Sequence, residues 1–192
     1  MVIRRLFIHI WHILDPVYSS FTRLQPIIAK TEKGATFRVR LTKYRGKDIV
    51  LSDGTKVCKN DMMLKIHLYN VKIMRDCMYI KNELTKGRAI FKRVKNAMPH
   101  LAEYIQNHPQ EAKIKGIVGI TMINKGFLPL GFECVYPTSK FYAIYKKATH
   151  IPIFLLSNAS FSRGKLNKHQ TVYLMMSKDK LLHFYGRANN NT

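Results

Sequence analysis

The sequence predicts an α+β fold, and three segments carry this prediction. Residues 35–70 alternate apolar and polar side chains between turn residues, which is typical of short half-buried strands. Residues 82–107 repeat apolar side chains every three or four positions, as an amphipathic helix does. Residues 114–122 are rich in β-branched side chains and indicate another strand. Because strands and helices come in separate groups, the order favours α+β architecture.

The strand-rich region predicts a small antiparallel meander of four strands. Phe37, Val39 and Leu41 alternate with polar residues, and Asp53-Gly54 is a strong hairpin signal. The fourth strand is expected over 62–69. Strands separated by such short turns are expected to pair with their neighbours in sequence.

The long helix is predicted from one apolar stripe with basic residues around it. Pro99 lies inside the pattern and predicts a kink or a break near Met98, because proline cannot donate the backbone hydrogen bond of a helix. The stripe consists of Ile90, Val94, Met98, Leu101 and Ile105.

Mixed strands and one or two further helices are predicted after the long helix. Gly116 and Gly119 indicate that a neighbouring element approaches the strand closely. The other predicted elements are strands at 131–136 and 153–156, a helix containing Phe141 and Tyr145, and a closing hairpin of 172–176 with 181–185.

The first residues predict an amphipathic helix with a positively charged start. Its apolar run is far shorter than the about 20 residues that cross a bilayer, so no transmembrane segment is expected. The domain organisation predicted is an N-terminal amphipathic helical segment over 1–26, a single α+β domain over 27–187 and a frayed tail over 188–192.

The charge balance indicates an anionic partner. Thirty-three Lys and Arg residues face 11 Asp and Glu residues, which gives a formal net charge of +22. Such a field attracts an anionic membrane surface, an acidic envelope polymer or nucleic acid. The alternative is that the basic charge reflects a general bias in amino-acid composition and serves no partner. The residues predicted to contact an anionic surface are Arg4, Arg5, Trp11, Lys86, Lys92, Arg93 and Lys95.

No motif predicts a metal or a cofactor. The three cysteines form no CxxC pair, and the eight histidines form neither HxH nor HExxH. The chain also has no P-loop and no GxGxxG. Three free thiols are expected in a reducing cytoplasm, which places the protein there or peripherally on the inner face of the membrane.

The best candidates for catalysis are Asp53, Asp61 and His67. A histidine near a carboxylate can act as a general base, and strand alternation places His67 on one face with Lys65 and Tyr69. The alternative is that both aspartates serve turns and that His67 belongs to a strand face.

Two stretches and the N-terminal helix ending in Asp15-Pro16 resemble the YkoP-like family of spore-forming bacilli. The stretches are YRGKDIVLSDGTKVCKNDMMLKIHLYN at 44–70 and KGIVGITMINKGFLPLGF at 115–132, and the resemblance extends from about Ile10 to about Leu156. Related domains are also joined to the C-terminal side of polysaccharide deacetylases. Asn60-Asp61 and Lys65 stand where the family pattern has a Gly-Asp pair and an acidic residue, which leaves an acid-dependent role at that position in doubt.

The resemblance implies a link to sporulation or to the cell envelope and lends no mechanism. Together with the charge, it favours an accessory protein that binds an anionic surface or polymer without catalysis. An envelope-polysaccharide enzyme or sugar-binding domain using Asp53, Asp61 and His67 is the first alternative, and non-specific nucleic-acid binding is the second.

Overall fold

A six-stranded sheet organises the residues that the structure describes. The structure is a computed structural model, and it describes residues 24–27, 35–77, 79–121, 126–136 and 172–186. The predicted N-terminal helix up to residue 23, the helix near 141–145 and the strand at 153–156 lie outside these residues. Gln25 and Pro26, which the sequence assigned to the helical segment, belong to a short strand instead.

The described elements confirm the α+β class. The strands are β1 (Gln25–Ile27), β2 (Phe37–Lys43), β3 (Ile49–Val50), β4 (Lys56–Val57), β5 (Met62–Leu68), β6 (Ile114–Thr121), β7 (Glu133–Val135) and β8 (Val172–Ser177). The helices are α1 (Asn70–Asp76), α2 (Glu83–Gln106) and α3 (Lys178–Tyr185), with 3₁₀ turns at Glu111–Lys113 and Leu128–Leu130.

The sheet order is β1-β2-β5-β6-β8-β7, and it corrects the predicted meander. β2 and β5 pair antiparallel, but β3 and β4 leave the sheet and form a separate two-stranded hairpin. β5 then pairs parallel with β6. This is possible because α1 and α2 lie between the two strands in sequence and return the chain to the end of the sheet at which β5 begins.

The two faces of the sheet carry two apolar clusters. Strand alternation sends Phe37, Val39 and Leu64 to one face, where they pack with the buried stripe of α2. Met63 and Val118 point to the other face and pack with residues under the β3–β4 hairpin. An irregularity in the β5–β6 register between Met62 and Met63 leaves an extra residue in β6, so that Ile114 and Ile117 both join the first cluster.

Helix α2 confirms the predicted stripe but not a break at Pro99. Val94, Met98, Leu101 and Ile105 are at most 1% exposed. The helix continues through Pro99 to Gln106, since tertiary packing of this stripe outweighs the one backbone hydrogen bond that proline cannot donate. At the N-terminus, the Asn82 side chain accepts hydrogen bonds from the backbone N–H groups of Leu84 and Thr85.

The predicted closing hairpin is wrong at its second strand, which is helix α3. Ser177 has an extended backbone, and its side chain accepts a hydrogen bond from the N–H of Lys180, as an N-cap residue does. Asp179 in the first turn also suits the positive end of the helix dipole. The N-cap at Ser177 and the acidic first turn therefore favour a helix over a strand at 178–185.

Gly116 allows β6 and β8 to approach each other closely, as predicted. A Cβ atom at Gly116 would lie 2.3 Å from the carbonyl oxygen of Met176. We expect Gly116→Ala to lower the free energy of unfolding by about 1–3 kcal/mol, since backbone would have to move. Urea denaturation measures this change.

Gly87 provides the matched control, because it lies in α2 and its Cβ would meet no described heavy atom within 4 Å. Gly87→Ala should raise the free energy of unfolding by about 1 kcal/mol through helix propensity. Equal effects of the two substitutions would contradict the close approach at Gly116.

Candidate functional site

The β3–β4 turn is built around Asp53 and Gly54. Gly54 has a φ of 84°, in the left-handed region that glycine adopts without strain. The Leu51 N–H donates to the Thr55 carbonyl oxygen at 3.0 Å, and Asp53 Oδ1 accepts from the Thr55 N–H at 3.1 Å. The turn is therefore rigid on both sides of the Asp53 carboxylate.

Asp53 joins this turn to the start of helix α3. The hydroxyl of Ser177, which is fully buried, donates a hydrogen bond to Asp53 Oδ2. The same hydroxyl oxygen accepts from the Lys180 N–H at 3.0 Å. One buried hydroxyl thus serves two distant segments at once, and its removal would loosen both.

A second set of contacts lies beside the first and centres on Glu133 at the start of β7. Its carboxylate accepts hydrogen bonds from the Ser52 N–H at 2.8 Å and from the Ser52 hydroxyl at 2.6 Å. Lys180 Nζ lies 3.2 Å from Glu133 Oε1 and 3.1 Å from Ser52 Oγ. Lys178 makes a further ion pair with Glu111, at 2.7 Å. We call Ser52, Asp53, Glu133, Ser177 and Lys180 the hairpin clamp.

Both carboxylates of the hairpin clamp are more acidic than usual. Burial raises the pKa of Asp53, but hydrogen bonds from Ser177 and Thr55 outweigh it, so that this pKa lies below its ordinary value. Burial likewise raises the pKa of Glu133, and hydrogen bonds from Ser52 and the charge of Lys180 reverse the shift. Both groups are therefore held as carboxylates.

The chemistry of the hairpin clamp favours a structural role over nucleophilic catalysis. A serine nucleophile needs a base that can take its proton. Glu133 is a weak base because its pKa is lowered, and Lys180 donates to the same carboxylate as an ammonium group. The contacts hold the β3–β4 hairpin against β7 and α3.

The structure does not bring Asp53, Asp61 and His67 together. Asp61 Oδ2 accepts from the Cys58 N–H at 2.8 Å, in the turn before β5. His67 lies six positions further along an extended strand, roughly 20 Å away at about 3.3 Å per residue, while Asp53 faces Ser177. Both aspartates serve turns, as the alternative interpretation expected, and a catalytic role for the three remains a prediction.

His67 belongs instead to a set of basic residues on one face of the sheet. In the β2–β5 register, Arg38 lies opposite His67 and Arg40 lies opposite Lys65. We call these four residues the basic sheet face. Sequence reasoning placed Lys65 and His67 on one face but missed Arg38 and Arg40, although the alternation of β2 carried the signal.

The residues predicted to contact an anionic surface have different surroundings. Lys86 is only 3% exposed and therefore cannot contact a surface. The Arg93 guanidinium donates a hydrogen bond to Asp76 Oδ2 at 2.7 Å. Lys92 and Lys95 are exposed, and so is Arg88, which the prediction omitted. Arg4, Arg5 and Trp11 lie outside the described residues. We call Arg88, Lys92 and Lys95 the outer stripe of α2.

Within the described ranges, no group of three or more His, Cys, Asp or Glu side chains is arranged to hold a metal ion. The same ranges contain no helix that is long and apolar enough to cross a membrane. Cys58, Cys77 and Cys134 are free cysteines, and burial raises the pKa of each thiol.

These features define a strongly basic α+β domain with a six-stranded sheet, a separate two-stranded hairpin, a cationic helix stripe and a cationic sheet face. The chain belongs to the YkoP family, because the YkoP domain model matches residues 4–185. Over 181 residues the chain is 44% identical to "Uncharacterized protein YkoP" of Bacillus subtilis (strain 168). The aligned region covers 94% of this chain and 97% of that protein. No solved structure matches the chain.

The hairpin clamp predicts a pH-dependent contribution to stability. Because the pKa of Glu133 is lowered in the folded state, its contribution is present above the ordinary value of 4.5 and is lost as the pH falls through the folded pKa. Glu133→Gln should therefore cost about 1 kcal/mol at neutral pH and much less near pH 3. Urea denaturation across this range measures the difference.

Ser52→Ala is the companion variant, since it removes one donor and keeps the carboxylate. It should give a smaller loss with the same pH trend. A constant difference between Glu133→Gln and the unmodified chain from pH 7 to about pH 3 would contradict the assigned role of the carboxylate.

Proposed function

We propose that this protein binds an extended anionic partner, a membrane surface or an acidic envelope polymer, without catalysing a reaction. The observation that carries the proposal is the outer stripe of α2, formed by Arg88, Lys92 and Lys95. Positions separated by four and three residues lie on one side of a helix, so the three cations point in similar directions. The buried side of α2 faces the sheet, which leaves this stripe outermost.

Three of the described carboxylates stabilise turns around β3 and β4. Asp48, Asp53 and Asp61 each accept a backbone N–H in the turns around β3 and β4. The excess of 33 basic over 11 acidic residues gives the protein a positive field that acts on its surroundings.

The outer stripe has a suitable length for a flat or linear partner. From Arg88 to Lys95 the helix rises roughly 10 Å, at about 1.5 Å per residue. Arg93 lies on another side of α2 and is paired with Asp76, so it adds little to this surface. A partner with repeated negative charges can contact all three stripe residues at once.

The setting proposed for this binding is the inner face of the membrane of a spore-forming bacterium. The family resemblance to proteins of spore-forming bacilli supports this setting. Arg4, Arg5 and Trp11 would add a second contact, because cationic and aromatic side chains suit a bilayer interface.

Replacing the outer stripe by Arg88→Gln, Lys92→Gln and Lys95→Gln together should weaken binding to phosphatidylglycerol-containing vesicles roughly 100-fold at low salt. Each cation near such a surface contributes about 1 kcal/mol. Co-sedimentation with anionic and neutral vesicles, at low and high salt, measures the loss.

The matched control is Lys47→Gln, Lys56→Gln and Lys59→Gln, which removes three exposed lysines around the β3–β4 hairpin. It should lose much less affinity. Equal losses would refute the assignment to α2, and no binding of the unmodified chain to anionic vesicles would refute the proposal. If duplex DNA displaces the protein from vesicles completely, nucleic acid becomes the better partner.

A further inference from the structure

The N-terminal end of α2 exposes two large apolar side chains. Leu84 lies in the first turn of the helix and is 65% exposed, and Tyr79 lies in the segment before the helix and is 77% exposed. Both stand on ordered backbone, because the Ile80 N–H donates to the Cys77 carbonyl oxygen at 3.2 Å and Asn82 caps the helix. Single exposed apolar residues are common on protein surfaces, whereas two of them so close in sequence form a local feature.

Leu84 lies on the same side of α2 as the outer stripe. Positions four residues apart are neighbours on a helix surface, so Leu84 is next to Arg88. Lys95 lies on this side as well, because three turns of a helix take about 11 residues. The opposite side of α2, which carries Val94 and Leu101, is at most 1% exposed. The outward side of α2 therefore begins with an apolar side chain and continues with the cations of the outer stripe.

Cations flank the apolar pair. Lys81 is exposed and lies between Tyr79 and Leu84 in sequence, and Arg88 follows Leu84 by about one helical turn. Long basic side chains can keep their charged ends in water while their apolar stems lie along an apolar phase. These two cations therefore do not have to leave a layer of anionic headgroups when Leu84 enters the layer below it.

Among anionic partners, this combination of side chains favours a lipid bilayer. A bilayer offers phosphate groups to the cations and, about 5–10 Å deeper, an apolar phase that accepts leucine. Tyrosine suits the boundary between the two, because its ring is apolar and its hydroxyl is polar. A soluble acidic polymer offers charge alone and leaves Leu84 in water. A second copy of this chain would bring the cations of two outer stripes together, which their repulsion opposes.

We propose that Leu84 and Tyr79 insert into the interface of an anionic lipid bilayer while the outer stripe of α2 contacts the lipid headgroups. The inference rests on the proposed function and deepens it, because it chooses a membrane over a polymer as the partner. Salt weakens the contact with the headgroups, whereas it does not screen the burial of apolar side chains. The bound state therefore has an electrostatic and an apolar component, and each belongs to different residues.

A tryptophan at position 84 reports insertion directly. The chain has one tryptophan, Trp11, so Leu84→Trp together with Trp11→Phe leaves a single indole at the proposed contact. When phosphatidylglycerol-containing vesicles are added, its fluorescence should shift to shorter wavelength and brominated lipids should quench it, because the indole leaves water. Unchanged fluorescence of the vesicle-bound variant would overturn the proposal.

The matched control for fluorescence is Val50→Trp, also together with Trp11→Phe. Val50 is 68% exposed and lies on the β3–β4 hairpin, which carries exposed lysines of its own. Its indole should show neither the shift nor the quenching. An equal response at positions 50 and 84 would mean that no particular end of the protein inserts, and it would overturn the assignment to α2.

Removal of both apolar side chains tests their share of the affinity. Leu84→Ala combined with Tyr79→Ala should weaken binding to the same vesicles about tenfold and abolish the part that survives high salt. Binding to dextran sulfate should change by less than about twofold, because this polymer carries negative charge without an apolar phase. Equal losses of affinity for vesicles and for dextran sulfate would contradict insertion. Both side chains are exposed, so the variant should keep its stability.

The proposed function and this inference fail separately. If the unmodified chain does not bind anionic vesicles, the proposed function is refuted and insertion falls with it. If the chain binds vesicles while the indole at position 84 stays in water, charge alone carries the binding. In that case the proposed function stands and the inference is overturned.

Discussion

The register between β2 and β5 determines both the core and the charged face of this domain. A shift by one residue would turn every side chain of a strand to the other side of the sheet. The observed register places Phe37 opposite Leu68 and Val39 opposite Ile66, toward α2. The same register necessarily places Arg38 and Arg40 on the other side. The apolar packing thus fixes the positions of the basic residues on β2 and β5.

The centre of the sheet depends on two local features of β6. Gly116 lets the Met176 backbone come close, and the irregularity beside Met63 sends both Ile114 and Ile117 to the helix side. β8 then ends at Ser177, whose hydroxyl caps α3 and binds Asp53 of the hairpin turn. The end of one strand therefore positions both α3 and the hairpin. The Asp53 carboxylate takes part in this structural contact through its hydrogen bond from Ser177.

The sequence predicted what depends on local periodicity and turn residues. The stripe of α2, the alternation of β2 and β5, and the Asp53-Gly54 turn all follow from neighbouring residues. The parallel pairing of β5 with β6 could not be predicted this way, because it depends on contacts across α1 and α2. For the same reason the basic sheet face was missed, since only the β2–β5 register brings Arg38 to His67. Helix α3 was a different error, because Ser177 and Asp179 were available as capping signals.

The two cationic surfaces lie on opposite sides of the sheet, and this separation limits what one partner can do. The outer stripe projects from the far side of α2, while the basic sheet face points the other way. A membrane or a stiff polymer held at Arg88, Lys92 and Lys95 cannot at the same time reach Arg38 and Lys65 through the core. Burial separates them further, since Lys92 and Lys95 are exposed and Arg38 is only 9% exposed. Only the exposed surface can meet an extended partner without rearrangement of the packing around the sheet.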